Sequence, residues 1–502
     1  MKFISVFILL ACGSAPLGQP NASYYVATTG NDSNPGTQSA PWRTIQHAAD
    51  TARAGSTVYV RGGSYEELVR INVSGNANDG FITFKNYPGE IAILDATRFT
   101  PQGRQGVLTI QDQSYVRVEG FEIRNFRTAE HRLAPLGINV MGSGSHIELL
   151  KNNIHDIQQT FPGRDKPGSG GNGFGIAVYG TNAKAPITDL IIDGNEVHHL
   201  KTGSSESLVV NGNVKDFRIT HNTVHDNNNI GIDVIGFERT APDPAVDQAR
   251  DGVVSHNLVY NITSRGNPAY GNDESSDGIY VDGGTRILIE QNTMHDVDFG
   301  IELASEHKDR ATSYITARNN LIYHCHTAGV SIGGYAPDRG HTEHTFVISN
   351  TLYENDTSAT GSGEFQMQWN MSDNVFANNI VYAAPHCLIS LTKTQVNKNQ
   401  PPALIDHNLY YCDAGAKASV WAGVSSSIKG FDNYVKSTGN DERSRFLDPH
   451  FIDPTAYNFH LQSGSPALGA GTMDELPVGK LDLDGAPRIT ATKIDLGCYQ
   501  KP

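Results

Sequence analysis

The chain has 502 residues, 38% of them hydrophobic and 18% charged, and a formal net charge of −15 at pH 7. That charge excludes nucleic acid and anionic membrane surfaces as electrostatic partners. The five cysteines, Cys12, Cys325, Cys387, Cys412 and Cys498, show neither a CxxC pair nor a His/Cys metal spacing, which excludes a disulfide-dense miniature scaffold and an ordinary zinc site.

Residues 1–22 read as a targeting segment: Lys2 precedes an apolar run over residues 3–11, then small residues follow. The run is too short to cross a bilayer as a helix, so no transmembrane segment is expected. Leu9, Leu10, Ala11 and Cys12 also match a lipoprotein signal. Two locations stay open: a secreted, extracellular protein, or one lipid-anchored at the cell envelope through Cys12.

Residues 23–500 contain no linker or compositional break, although packed domains usually divide beyond ~250–300 residues. A solenoid escapes that limit because each repeat needs only its neighbours. Residues 44–53 carry a helical pattern with Ile45, Ala48, Ala49 and Ala52 on one face, which suits a cap on the first coil. From about residue 150 an Asn recurs just before an apolar residue and a His or Tyr, at Asn153, Asn195, Asn222, Asn257, Asn292, Asn320, Asn350, Asn379 and Asn408. Coils stacked ~4.8 Å apart would let these amides bond one another at a single turn. His225 and His295 belong to the same phrase and read as structural.

A second strand recurs in phase, as in GIAVY at residues 175–179, GIDVI at 231–235, GIYVD at 278–282 and GIELA at 300–304. Its second and fourth positions point inward by strand alternation, giving a core column of Ile176, Leu208, Ile232, Ile279, Ile301, Val330 and Phe365. The predicted fold is therefore all-β: a single-stranded right-handed parallel β-helix over residues 23–500, with an N-terminal capping helix. The segment beyond about residue 440 is expected to cover the far end. Cys387 and Cys412 lie about one repeat apart, either on neighbouring coils or as separate buried thiols.

The third and fifth positions of that strand are expected to face solvent. Most are undemanding (Ala177, Val209, Ser331, Gly333), but three successive coils place Asp233, then Tyr280 and Asp282, then Glu302. Asp277, Glu306 and His307 lie close by. From the coil rise, the Asp282 and Glu302 α-carbons should be ~8 Å apart. Neighbouring carboxyls on a rigid sheet drive their pKa values apart, as glycoside hydrolysis requires. Asp282 and Glu302 are thus the expected catalytic pair, with Glu302 the acid, Asp282 the base and Asp233 a third carboxylate. His307, Tyr280, Glu306, Tyr335, Trp369 and Lys308 are the expected substrate contacts. Asp233, Asp277, Asp282, Glu302 and Glu306 also offer a hard oxygen set for Ca²⁺, with Asp277 the expected ligand; the plain alternative is a solvated acidic strip.

The stretch YYVATTGNDSNPGTQSAPWRTIQHAAD at residues 24–50, with ITFKNYPGEIAILDA at 82–96, resembles the opening of pectate-lyase-like β-helix proteins, especially family 9 polysaccharide lyases. SGSPALGAG at residues 463–471 and IDLGCYQ at 494–500 resemble their closing segment. The resemblance implies the fold, a calcium held by aspartates and a lysine base. Where the family has Asp-Asp-Gly-x-Asp, this chain has Ser276, Asp277, Gly278, Ile279 and Tyr280, and keeps only the Asp-Gly pair. Lys201, Lys215 and Lys308 are the lysines at hand. The leading functional expectation is a glycoside hydrolase on a polysaccharide or oligosaccharide, acting as a monomer. The alternatives are a calcium-dependent lyase of a uronate glycan, using Lys308, Arg310 or His307, and a non-enzymatic carbohydrate-binding or adhesive solenoid.

Overall fold

The computed structural model describes residues 22–163, 170–393, 403–423 and 426–501. The leader and its Cys12 motif lie outside the described residues. Three long sheets, parallel but for one strand at the far end of the first, run the length of the molecule and hold thirteen, sixteen and thirteen strands among the described residues. Each coil lays one strand on each sheet in turn. Asp277–Asp282 lies on the first sheet, Thr285–Glu290 on the second and Thr293–Val297 on the third, before Phe299–Ala304 returns to the first. A parallel strand can be reached only by a crossover, and such crossovers are right-handed in ~98% of cases.

Inward side chains stack coil upon coil. Ile232, Ile279, Ile301 and Val330 are all wholly buried, in register along one column. Helix Ile45–Thr51 closes the first coil as expected. The Thr44 hydroxyl accepts from the His47 N–H, and Ile45, Ala48 and Ala49 are buried on the face that packs on strand Val69–Ile71.

The turn from the second sheet to the third explains the recurring Asn. Asn195 Nδ2 donates to Asn222 Oδ1 at 2.9 Å, Asn222 to Asn257 at 3.0 Å and Asn257 to Asn292 at 2.9 Å, and the chain of bonds continues to Asn408. The residue before each amide is left-handed, as at His221 (φ 54°), His256 (φ 56°) and Gln291 (φ 56°). The amide bonds satisfy backbone groups that so tight a buried turn leaves unpaired. One member differs from the expectation: Asn152, not Asn153, donates to Asn195. In the Asn doublet the left-handed residue is Lys151 (φ 53°), so the ladder position falls one residue earlier. Asn153 instead opens strand Asn153–His155 and meets His198 Nε2.

The His or Tyr that follows forms a second ladder, of rings. His155, His198, His225, Tyr260, His295 and Tyr323 stack with centroids 5.0, 5.0, 4.8, 5.1 and 4.8 Å apart. His225 and His295 are structural, each with Nδ1 on the following aspartate. Cys387 and Cys412 form a disulfide.

The C-terminal segment does not simply cover the far end. An antiparallel strand, Ser427–Lys429, and helix Phe431–Thr438 protect that edge, with Tyr434 stacked on Trp421. The rest turns back along the flank. There Phe451, Phe459, Leu461 and Leu496 bury Leu321, Tyr323, Tyr353, Ile380 and Leu409, apolar side chains that point away from the coil interior.

Candidate active site

The outer face of the first sheet is a grid whose columns are set by strand register. Val209, Asp233, Tyr280, Glu302, Ser331 and Gln366 face one another in successive coils. Asp282, opposite Ala304, lies two residues further along its strand. On the other side is Asp277, ahead of Gly278. A Cβ at Gly278 would lie 2.8 Å from the Gly300 carbonyl, and one at Gly300 would lie 2.4 Å from that of Gly329. Only glycine permits this close approach. Asp277 lies on the groove side of it, hydrogen-bonded to Glu302.

These positions were expected to face solvent, and the structure corrects that. Asp233, Asp277, Tyr280, Asp282 and Ser331 are 5% exposed or less. Loops after the strands fold back over the sheet: Gln248 Nε2 donates to the Gly283 carbonyl, and the Glu306 N–H donates to Asp282 Oδ1 at 2.8 Å. Alternation shows which side of a strand a residue takes, but not what covers that side. Glu302 is half-buried, and Glu306 is open to solvent at the groove mouth.

Burial governs the electrostatics. It pushes Asp233, Asp277 and Asp282 well above the ordinary carboxyl range, and the neighbouring carboxylates push the same way. Burial also raises Glu302, but its bonds from Asp277 and Ser331 and the nearby Lys393 ammonium restrain it to about 7. Asp277 therefore keeps its proton and donates it to Glu302. Glu302 Oε1 accepts in addition from Gln368 Nε2 at 2.8 Å and Ser331 Oγ at 3.3 Å.

Three participants escaped the sequence reading. Glu206, pushed up to about 8 by burial and then by Glu238, stands ahead of Ser207 as Asp277 stands ahead of Gly278. That shared position was its signal. Gln368 and Lys393 come from later coils that place no acidic residue at the column position of Asp233 and Glu302, where Ser331 and Gln366 stand instead. Lys393 follows strand Leu388–Thr392, and burial lowers its ammonium pKa against the pull of Glu302.

Of the expected substrate contacts, Tyr280 is only 5% exposed, wedged between Asp233 and Glu302, and cannot serve as an open stacking platform. His307 is half-buried and kept neutral by burial, and its Nε2 has no partner. Tyr335 is 43% exposed, with the Arg339 guanidinium 4.7 Å from its ring centre. Trp369 is half-exposed, its backbone bonded to Gly334. Lys308 lines a lateral cavity of about 560 Å³ with Asp309, Arg339 and His341, away from the carboxylate column.

Asp233 and Asp277 each keep a buried oxygen without a partner, donors that a hard cation such as Ca²⁺ would accept together with Asp282. Among the described residues, the acidic and histidine ligand atoms already within 4.8 Å of one another belong to Glu274, Asp298 and His326, outside this groove. Asp233 also supports a stability prediction. Its pKa is raised above 3.8 on folding, so the folded chain binds that proton more tightly than the unfolded one. The contribution is complete below the unfolded value and is lost as pH rises toward the folded one. Asp233→Asn is expected to raise Tm at pH 8 and not at pH 4. A Tm difference that stays constant between the two would refute this origin.

A family profile described as "Pel9A-like, right handed beta helix region" matches residues 24–166, and one described as "Right handed beta helix region" matches 207–338 and 254–430. "Uncharacterized protein YwoF" of Bacillus subtilis is 37% identical over 445 residues, 88% of this chain and 91% of that protein. "Pectate lyase PEL9" of Emericella nidulans is 33% identical over 151 residues, 29% of this chain and 36% of that enzyme. Among solved structures, XylC in complex with xylose superposes with a TM-score of 0.51 at 12% identity, covering 96% of this chain and 98% of that one. With its stacked parallel sheets and these matches, the chain belongs to the pectate-lyase-like right-handed parallel β-helix superfamily, in one family with Bacillus subtilis YwoF.

Proposed function

We propose that the protein is a carbohydrate-active enzyme, a glycoside hydrolase that cleaves a polysaccharide or oligosaccharide in the groove over the first sheet. The observation that carries this reading is the Asp277–Glu302 carboxyl pair, in which Asp277 holds a proton and Glu302 is poised at about 7. Asp282, held by the Glu306 N–H and keeping its proton because burial and its acidic neighbours raise it well above the ordinary range, gives that proton to the glycosidic oxygen as the bond to the anomeric carbon breaks. Glu302, the lower of the two at about 7 and ionised above it, takes a proton from the water that attacks that carbon, the reverse of the roles expected from the sequence, and the products are two shorter glycans. Asp277 acts through Glu302 and is a positioning residue, and Asp233, which keeps its proton, stands opposite Tyr280 on the preceding coil. The Cys387–Cys412 disulfide supports export to an oxidising compartment, as the leader does. Among the described residues no helix is long and apolar enough to cross a membrane. The test is a polysaccharide panel, where new reducing ends without ultraviolet absorbance from an unsaturated uronate are expected. Binding without cleavage would favour a carbohydrate-binding solenoid and sink the hydrolase reading.

One observation favours a second reading, a calcium-dependent lyase of a uronate glycan. Lys393, its pKa lowered by burial, acts on Glu302 and donates to Gln368 Oε1 at 3.4 Å, and would serve as the base, while the unpartnered oxygens of Asp233 and Asp277 on earlier coils would take the cation. Under the hydrolase reading, activity is expected to survive exhaustive chelation with EDTA. Loss on chelation, restored by calcium alone and accompanied by unsaturated products, would replace it with the lyase.

A further inference from the structure

We propose that a cavity on the same outer sheet face, several coils before the carboxylates, is a distal glycan subsite that recognises the hydroxyls of a sugar unit remote from the cleaved bond. The proposal rests on the carbohydrate reading above. The cavity measures about 280 Å³ and is lined by Arg70, Arg104, Gln105, Thr109, Gln111 and Asn139, among others. Its floor is built. Asn139 is only 2% exposed, yet its Oδ1 has no hydrogen-bond partner, and its Nδ2 meets only the Met141 sulfur at 3.6 Å. A buried amide oxygen left unpaired at the bottom of a polar cavity is an acceptor awaiting a donor, and a sugar hydroxyl supplies one.

The walls supply complementary donors. The Arg70 guanidinium is braced by Gln111 Oε1 at 2.7 Å. That of Arg104 lies 3.4 Å from the Tyr179 ring centre and 4.4 Å from that of Phe174. Gly106 keeps the floor open, because a Cβ there would stand 2.9 Å from Asn139 Cβ. Register joins this cavity to the active site: Thr109, Asn139, Ala177, Val209, Asp233, Tyr280 and Glu302 form one unbroken column. Asn139 is therefore three coils, ~14 Å, from Asp233 and five coils, ~24 Å, from Glu302. Ala177 and Val209 between them are buried in a cluster with Phe174 and Ile235, so a glycan reaching both sites would lie over that cluster and not on the column itself.

The test is a chain-length series of oligosaccharides from whichever glycan the wild-type protein cleaves. kcat/KM should climb once the chain spans ~24 Å. Asn139→Leu and Arg70→Gln should each remove that climb, about tenfold, through KM and not kcat, and leave the shortest substrates unaffected. Arg70 is exposed, so R70Q keeps the question open to measurement if N139L fails to fold. A climb that survives in R70Q and in folded N139L, or no climb in the wild type, overturns the subsite and leaves the hydrolase reading intact. If the wild type cleaves nothing, the function reading fails separately. The subsite is then judged by calorimetry with the same oligosaccharides, where equal affinity of wild type and R70Q overturns it.

Discussion

Glu302→Gln is expected to lower kcat/KM by at least ~10²-fold, the low end for losing general base assistance, with the circular dichroism spectrum unchanged. Asp282→Asn should do the same for the acid. The amides keep side-chain volume while removing the titrating group, so the loss reports chemistry and not folding. The pH profile adds a signed test. A general base must be ionised, so activity should fall as pH drops through about 7, where Glu302 gains its proton. The Lys393 ammonium favours the ionised form of Glu302, and Lys393→Met should therefore move that limb upward. Glu306 opposes ionisation, and Glu306→Gln should move the limb downward. Ser331→Ala is no neutral control, because the hydroxyl bonds Glu302 Oε1. Near-wild-type rates in both E302Q and D282N would sink the assignment and transfer attention to Lys393 and the lyase reading.

Replacing Asn257 with alanine is expected to destabilise the protein by roughly 3–5 kcal/mol. The amide accepts from the Asn222 N–H and Nδ2 at 2.9 and 3.0 Å, and donates to the Ile219 carbonyl and Asn292 Oδ1, each at 2.9 Å. Truncation removes all four bonds inside a buried turn; Asn222 Nδ2 keeps only the Ile192 carbonyl and Asn292 Oδ1 only the Asn257 N–H, and water cannot replace the amide without opening the turn. The adjacent pair Asn152 and Asn153 makes the comparison sharper. Asn152→Ala removes a ladder member and should approach the Asn257 effect. Asn153→Ala removes an outer-face contact to His198 and should cost no more than about 1 kcal/mol. The urea unfolding midpoint reads both, and equal shifts for N152A and N153A would refute the ladder register.

Local and periodic features were legible in the amino-acid order. Strand alternation with a repeat of about 30 residues places Ile232, Ile279 and Ile301 in one column, because coils can stack only in register and each inward residue must meet its own counterpart. The capping helix follows from apolar spacing and Thr44. The Asn ladder follows from a turn that recurs, apart from the Asn152/Asn153 doublet, where two identical side chains leave only backbone φ to choose between them. The same alternation drew attention to Asp233, Asp282 and Glu302, since an acid at a position held elsewhere by Ala or Val breaks the pattern. Only the tertiary structure showed that this face is roofed over. Roofing converts a presumed solvated strip into a set of proton-holding carboxyls, and it turns Tyr280 from a platform into a wedge. The Asp277–Glu302 bond depends on a glycine close approach between coils, and Lys393 reaches Glu302 from a coil far along the chain. The folding back of the C-terminal segment over Tyr323 and Leu409 was likewise hidden. These are contacts between parts of the chain that share no period, so only packing in three dimensions, where burial and charge act across coils, decides them.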